Sequence, residues 1–321
     1  MYRLFPAASK YIKKLILAGI FILLFASKIQ ASDIILNFIG DCTLGQNYTS
    51  TRFSSYYDRY GPSYFFSGVR SVFEKADLTI ANCEGTFTNS TNRIPKTGER
   101  TFWFKGNPSY AEIFKKGGVN IVNLANNHTF DYGMQGYLDT REALREYGID
   151  YFGNDILLVK RVKGVNIGFY GLSFGGITAK NVENRIQQLR SLGADIIVGS
   201  FHTGIENQYF PTEFQQYIAK RAVTLGTDIV VQHHPHVVQD IIWYRNKIIA
   251  YSLGNFVFGG NSNPRDKKSI ILRVKIDSNL NLSYEALPVS ISGKSYTNDY
   301  RPILYRHAYP HDISEFFFFP E

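Results

Sequence analysis

Cysteine, methionine and tryptophan each occur only twice in the 321 residues, and only 19% of the chain is charged. Two cysteines exclude a disulfide-stapled scaffold, and Cys42 and Cys83 do not form the CxxC spacing of a zinc site. No GxxxxGK[ST] phosphate loop is present, so the chain is not expected to activate a substrate with ATP. Internal repeats and low-complexity tracts are also missing, which argues against a solenoid. The one strongly apolar run, Leu15 to Ala26, is shorter than the roughly 20 residues that span a bilayer comfortably. What remains is 44% hydrophobic and 15% aromatic, enough to bury a sizeable core.

The formal net charge of +8 would ordinarily suggest nucleic acid or a membrane surface. Five of those charges, Arg3, Lys10, Lys13, Lys14 and Lys28, precede Asp33 with no acid among them, and without them +3 remains. No nucleic-acid partner is therefore expected. The same cations flank the apolar run, and a small-residue site ends at Ile29-Gln30-Ala31. Residues 1–31 thus read as an export signal or an uncleaved N-terminal anchor, with the folded part periplasmic, cell-surface or otherwise extracytoplasmic. Cys42 and Cys83 each sit beside an acid; two small buried hydrophobes at strand ends and a bridge both fit that context.

After this segment, short β-branched runs alternate with amphipathic stretches, which predicts a layered α/β protein. Strands are predicted at Ile34–Ile39, Leu78–Ala81, Asn120–Leu124, Val165–Leu172, Asp195–Gly199 and Asp228–Val231. Helices are predicted at Tyr64–Lys75, Ser109–Lys116, Gln135–Tyr147, Val182–Leu192 and Thr212–Leu225. Four of them stop at Gly117-Gly118, Gly148, Gly193 and Gly226. Beyond Gln239 the pattern changes to closely spaced strands, so antiparallel hairpins are expected at Ile241–Leu253 and Ser269–Ile291. The domain is expected to span 32–295, followed by a tail, 296–321, from which no chemistry is read.

The histidines and several acids fall at predicted strand ends. Asp41 follows the first strand and Glu84 the second; Asn126-Asn127-His128 closes the third. His202 and His233-His234-Pro235-His236 follow two later ones. Carboxyl ends of strands in an open α/β sheet line one crevice, where such residues converge. Carboxylate, amide and imidazole ligands together suit a divalent ion such as Mn²⁺, Zn²⁺ or Fe²⁺. A Gly-Asp pair after a strand is more often a turn or cap. His-x-His is harder to dismiss, because alternate residues of an extended backbone face one side and bring His234 and His236 to one ion.

Six blocks stand out along the chain: Gly40-Asp41-Cys42-Thr43-Leu44-Gly45, Ala81-Asn82-Cys83-Glu84, Asn123-Leu124-Ala125-Asn126-Asn127-His128-Thr129-Phe130-Asp131-Tyr132-Gly133, His202-Thr203-Gly204-Ile205-Glu206, His233-His234-Pro235-His236-Val237-Val238-Gln239 and Tyr251-Ser252-Leu253-Gly254-Asn255-Phe256. In these blocks and their order the chain resembles, from about Ile34 to Phe258, the bacterial poly-γ-glutamate capsule biosynthesis (CapA-type) family and, through it, the calcineurin-like metallophosphoesterases. The resemblance implies a four-layer αββα sandwich of two mixed sheets. It also implies one or two divalent ions held by Asp41, Glu84, Asn127, His202, His234 and His236. His128 would then protonate a leaving group or hold phosphate, with Asp131 orienting it; Asn126 would contact substrate, and Glu206, four residues past His202, would either support the ligands from behind or contact substrate. Thr43 stands where the phosphoesterase pattern has a histidine, so one ligand of a two-metal site is missing or supplied elsewhere.

Two functions follow from the resemblance and the site chemistry together. One is an exported metal-dependent hydrolase of capsule or envelope polymer synthesis or processing, acting on an anionic polymer or a phosphoester. The other is a non-catalytic protein whose metal crevice holds the polymer. Either would work beside membrane-bound polymer synthesis or export proteins. A purely structural metal domain ranks below both, because the ligands sit in loops and not in a closed cage.

Overall fold

The structure, a computed structural model, describes residues 32–47, 49–98 and 101–305. The expected export segment, 1–31, and residues 306–321 lie outside them. Among the described residues no helix is long and apolar enough to cross a membrane.

The chain runs β1 (Ile34–Thr43), β2 (Gln46–Asn47), α1 (Arg52–Tyr60), α2 (Arg70–Phe73), β3 (Leu78–Cys83), β4 (Thr86–Phe87) and β5 (Phe104–Gly106). A 3₁₀ turn, Pro108–Tyr110, leads into α3 (Ala111–Gly117), β6 (Ile121–Asn123), α4 (Gly133–Glu146), β7 (Asp150–Phe152), β8 (Leu158–Val162) and β9 (Val165–Ser173). After a second 3₁₀ turn, Phe174–Gly176, come α5 (Ala179–Ser191), β10 (Ile196–His202), α6 (Glu213–Leu225) and β11 (Ile229–His233). The rest is strand: β12 (Ile241–Tyr244), β13 (Lys247–Ala250), β14 (Asn255–Phe258), β15 (Lys268–Ile276), β16 (Leu282–Ser290) and β17 (Ile303–Leu304).

Two mixed sheets form the centre. The first is ordered β17-β16-β15-β1-β3-β6-β7, with β14 also paired to β1; the second is ordered β12-β13-β11-β10-β9-β8. In each, the strands feeding the crevice are parallel neighbours: β1 with β3 and β3 with β6, then β9 with β10 and β10 with β11. Three apolar clusters define the layers. Leu36, Phe38, Ile80 and Ile121 of the first sheet meet Phe169, Val198, Val231 and Ile248 of the second, so the sheets pack face to face. Phe114, Leu144 and Phe66 cover the outer face of the first sheet, and Val182, Ile218 and Ala222 cover that of the second. This is an αββα sandwich, as the resemblance implies. Burying each such Leu, Ile or Phe contributes about 1.5–3 kcal/mol, so the inter-sheet layer fixes how the strand ends face one another.

Local signals place most elements. Gly118, Gly148, Gly193 and Gly226 have left-handed φ at or just after helix ends, as the stops predict. Thr212 and Gln215 form a reciprocal capping box at the start of α6. Both expected hairpins are present, with Ile242 opposite Ile249 and Leu272 opposite Ala286. Elsewhere the outcome differs. The helix predicted over Tyr64–Lys75 shrinks to Arg70–Phe73, because 62–69 is held by successive turns such as Ser67 N to Tyr64 O and Val69 N to Phe66 O. Helix α1, strands β7 and β8, and a small sheet ordered β2-β5-β4 were not predicted: α1 fully buries only Phe53, and the strands are two to five residues long. The sheet also runs past residue 295: Ser290 pairs with Ile303, and Asn298 and Tyr300 are buried, so packing continues to the end of the described chain.

Candidate metal centre

Asp41 lies inside β1, two residues before its end at Thr43, and not after the strand as expected. The pairing of β1 with β3 shifts register between Phe38 and Asp41. Only glycine fits at position 40, where a Cβ would stand 1.9 Å from the Gly254 carbonyl oxygen. That approach lets Asp41 N donate to Gly254 O at 3.0 Å. Asp41 Oδ1 accepts from Asn82 Nδ2 at 2.7 Å, while Oδ2 lies 3.1 Å from His236 Nδ1. Burial pushes its carboxyl up, but the hydrogen bonds and charges of His233 and His236 outweigh this and hold it well below the usual range.

Glu84, immediately after β3, is fully buried. Its Oε1 is approached by three imidazole Nε2 atoms, of His202 at 3.6 Å, His236 at 3.8 Å and His128 at 4.0 Å. None is a hydrogen bond, and neither Glu84 oxygen has a hydrogen-bond partner among the described residues. A buried carboxylate left so is costly unless something binds it. Burial chiefly, with the nearby Asp41, Glu206 and Asp131 carboxylates, pushes its carboxyl up to about 8 against the pull of His236.

Four of the expected ligands fall into two groups that share a histidine. Asp41, Glu84 and His236 offer ligand atoms within 4.8 Å of one another, and so do Glu206, His234 and His236. Glu206, expected to support the ligands or contact substrate, thus stands among the ligand-capable groups. His202 adjoins both groups, with its ring 5.0 Å from that of His234. The reason expected for His234 and His236 converging does not hold. Strand β11 stops at His233, and the two residues have left-handed φ of 102° and 58°, so a turn brings them together.

Burial, with like charges from neighbouring imidazoles, holds His202 well below its ordinary pKa and His234 at about 4, so both are neutral. Burial opposes but does not prevent a rise of His236 to about 10, driven by Glu84 and Asp41. His202 and His234 are thus already in the neutral form a divalent ion needs, whereas Glu84 and His236 would give up protons on binding it. His202 Nε2 and His234 Nδ1 likewise lack hydrogen-bond partners. The residues therefore fit such an ion.

Asn127 is exposed and takes part in no hydrogen bond with the described residues. Asn126 is buried with both ends of its amide engaged: Nδ2 donates to Cys83 O at 2.8 Å and Oδ1 accepts from His128 N at 3.0 Å. Through these two bonds it braces the loop. His128 Nδ1 lies 2.7 Å from Asp131 Oδ2, which also accepts from Phe104 N at 2.7 Å. Lys96 is ion-paired to Asp131 Oδ1, and the Phe104 ring lies 4.4 Å from the His128 ring. Burial, aided by Lys96 and His236, lowers the His128 pKa despite Asp131.

Several participants were not singled out from the sequence. His233 Nδ1 lies 3.3 Å from Asp41 Oδ1 and brings a further imidazole to the acid that lacks a histidine partner at Thr43. Asn123 Nδ2 donates to Asn82 Oδ1, and Asn82 Nδ2 lies 3.2 Å from His202 Nδ1, a relay across three strand ends. Asn255 Oδ1 is 3.0 Å from His236 Nδ1. Asn82, Asn123 and Asn255 all lie in the recognised blocks, so that was the available signal. Lys96 lies outside the blocks and carried none.

Comparison with known proteins adds a lineage to this geometry. The chain is 28% identical over 281 residues to the capsule biosynthesis protein CapA of Bacillus anthracis, covering 80% of this chain and 67% of that one. It is 29% identical over 288 residues to the PGA biosynthesis protein CapA of Bacillus subtilis (strain 168), covering 82% and 73%. Among solved structures, the sulfate thiohydrolase SoxB of Thermus thermophilus aligns at 13% identity and a TM-score of 0.48, covering 80% of this chain and 57% of that one. The model of the bacterial capsule synthesis protein PGA_cap family matches residues 35–260, and the chain belongs to that family.

Proposed function

We propose that the protein is an exported, metal-dependent hydrolase that processes an anionic capsule or envelope polymer of the poly-γ-glutamate type. The observation that carries the metal is Glu84, a fully buried carboxylate with no hydrogen-bond partner among the described residues and three imidazoles around one oxygen. The CapA relatives carry the polymer class, and the cationic, apolar leader carries export. Asp41, Glu84, His202, His234, His236 and Glu206 would hold one or two Mn²⁺, Zn²⁺ or Fe²⁺ ions. When bound, such an ion supplies Lewis-acid polarisation of the scissile group and lowers the pKa of water.

The chain's own residues supply the proton chemistry. Asp131, paired with Lys96, takes the Nδ1 proton of His128 as a hydrogen bond and fixes that tautomer. This leaves Nε2, the nitrogen nearer Glu84, as the atom that accepts or returns a proton. Phe104 and Asn126 hold the ring and backbone of His128 in that pose. The test is His128→Ala in the full chain. Metal content measured by elemental analysis should stay near wild type, while turnover falls by about 10²–10⁴-fold, the usual share of a general acid or base. A His128→Ala protein with full capsule function would refute hydrolysis and leave a polymer-holding role.

A further inference from the structure

Phe174 is placed against both of its ordinary preferences. It has φ of 37°, a region bulky residues rarely adopt, and its side chain is 41% exposed. The next two residues, Gly175 and Gly176, would meet nothing within 4 Å if given a Cβ, so crowding does not dictate this turn. Either glycine would take up a left-handed φ without steric conflict, yet the phenylalanine carries it. Strain of this kind persists where the surroundings impose it, and it points to function.

The surroundings are two imidazoles of the metal centre. The Phe174 ring lies 4.9 Å from the His234 ring at 87° and 5.9 Å from the His202 ring at 64°, edge-on arrangements that aromatic pairs favour. Its root is fixed beside them, because Ser173 is in register with His202 across the β9 and β10 pair. Ile177 is buried on the far side of the turn, and its N–H donates to Phe174 O at 2.8 Å. A metal-binding histidine is normally oriented by a hydrogen bond from its second ring nitrogen. His234 has no such bond: Nδ1 is buried without a partner, and the rings of Phe174, His202 and His236 are its aromatic neighbours.

We infer that Phe174 is a positioning residue of the metal centre, whose ring clamps the His234 and His202 imidazoles in place and slows loss of the bound ion. The inference rests on the metal reading above. It concerns retention of the ion and not the chemistry performed there.

The experiment compares the full chain with Phe174→Gly and Phe174→Tyr, each loaded with Mn²⁺ or Zn²⁺ and challenged with excess EDTA. Phe174→Gly should lose metal about tenfold faster than wild type, in the range seen for groups that orient metal ligands. In EDTA it should melt no more than about 2 °C below wild type, because the strained φ is relieved as the contact is lost. Phe174→Tyr, which keeps the ring, should restore slow release. Unchanged release from Phe174→Gly overturns the clamp. So does fast release with a large drop in melting temperature, or fast release from Phe174→Tyr. A wild-type chain that takes up no metal overturns the metal reading itself and the clamp with it. Metal uptake by wild type with equal release from Phe174→Gly overturns the clamp alone.

Discussion

Glu84→Gln separates a group kept for binding from one kept for stability. The substitution preserves shape and removes the capacity to ionise from a side chain that water does not reach. In the unfolded chain the carboxyl ionises from its ordinary value of 4.5, whereas in the metal-free fold it stays protonated up to about 8. Its folded pKa is raised, so the associated stability is complete below 4.5 and is lost progressively as pH rises towards 8. At pH 7 the penalty is about 3 kcal/mol, from about 1.4 kcal/mol per pH interval above 4.5. Glutamine has no such penalty, so in EDTA at pH 7 the variant should melt higher than wild type, by on the order of 5 °C. At pH 4.5 the two should melt alike. With Mn²⁺ or Zn²⁺ the order should reverse, since an ion bound only by the native state stabilises it and the variant has lost a charged ligand. Differential scanning calorimetry with and without EDTA reads both effects. A variant that melts lower than wild type in EDTA and gains as much from metal would refute the argument that Glu84 waits for a cation.

Three further outcomes follow from other parts of the molecule. Burial pushes the Cys83 thiol up to about 12 and the Cys42 thiol well above its ordinary value, so a thiol reagent at pH 8 should find none in the native protein and two after denaturation. Asn126→Ala strips a buried hydrogen bond from Cys83 O and another from His128 N, and should lower stability by about 1–3 kcal/mol in urea titration. A reporter active only outside the cytoplasm, fused after Ser32, should be active with residues 1–31 and inactive without them; equal activity would remove export from the proposal.

Local chemistry made much of the molecule legible in advance. β-branched runs, helix-stopping glycines and short hairpin connections act over a few residues, so the βαβ alternation and the closing hairpins follow from sequence alone. The order of Asp41, Glu84, His128, His202 and His234-Pro235-His236 marked strand ends that had to converge. Tertiary structure decided what depends on pairs distant in the chain. The pairing of Ile303–Leu304 with the sheet edge, and Arg52 Nη2 to Asn298 O, join segments that no local sequence signal links. Convergence of His234 with His236 came from a left-handed turn and not from an extended strand. Likewise His233 against Asp41 joins the two sheets, and the ring of Phe174 against His234 and Lys96 against Asp131 join loops distant in the chain. A sequence records which side chains are available at strand ends; the angles between strands determine which of them meet, because contact distances of 3–5 Å depend on packing summed over both sheets.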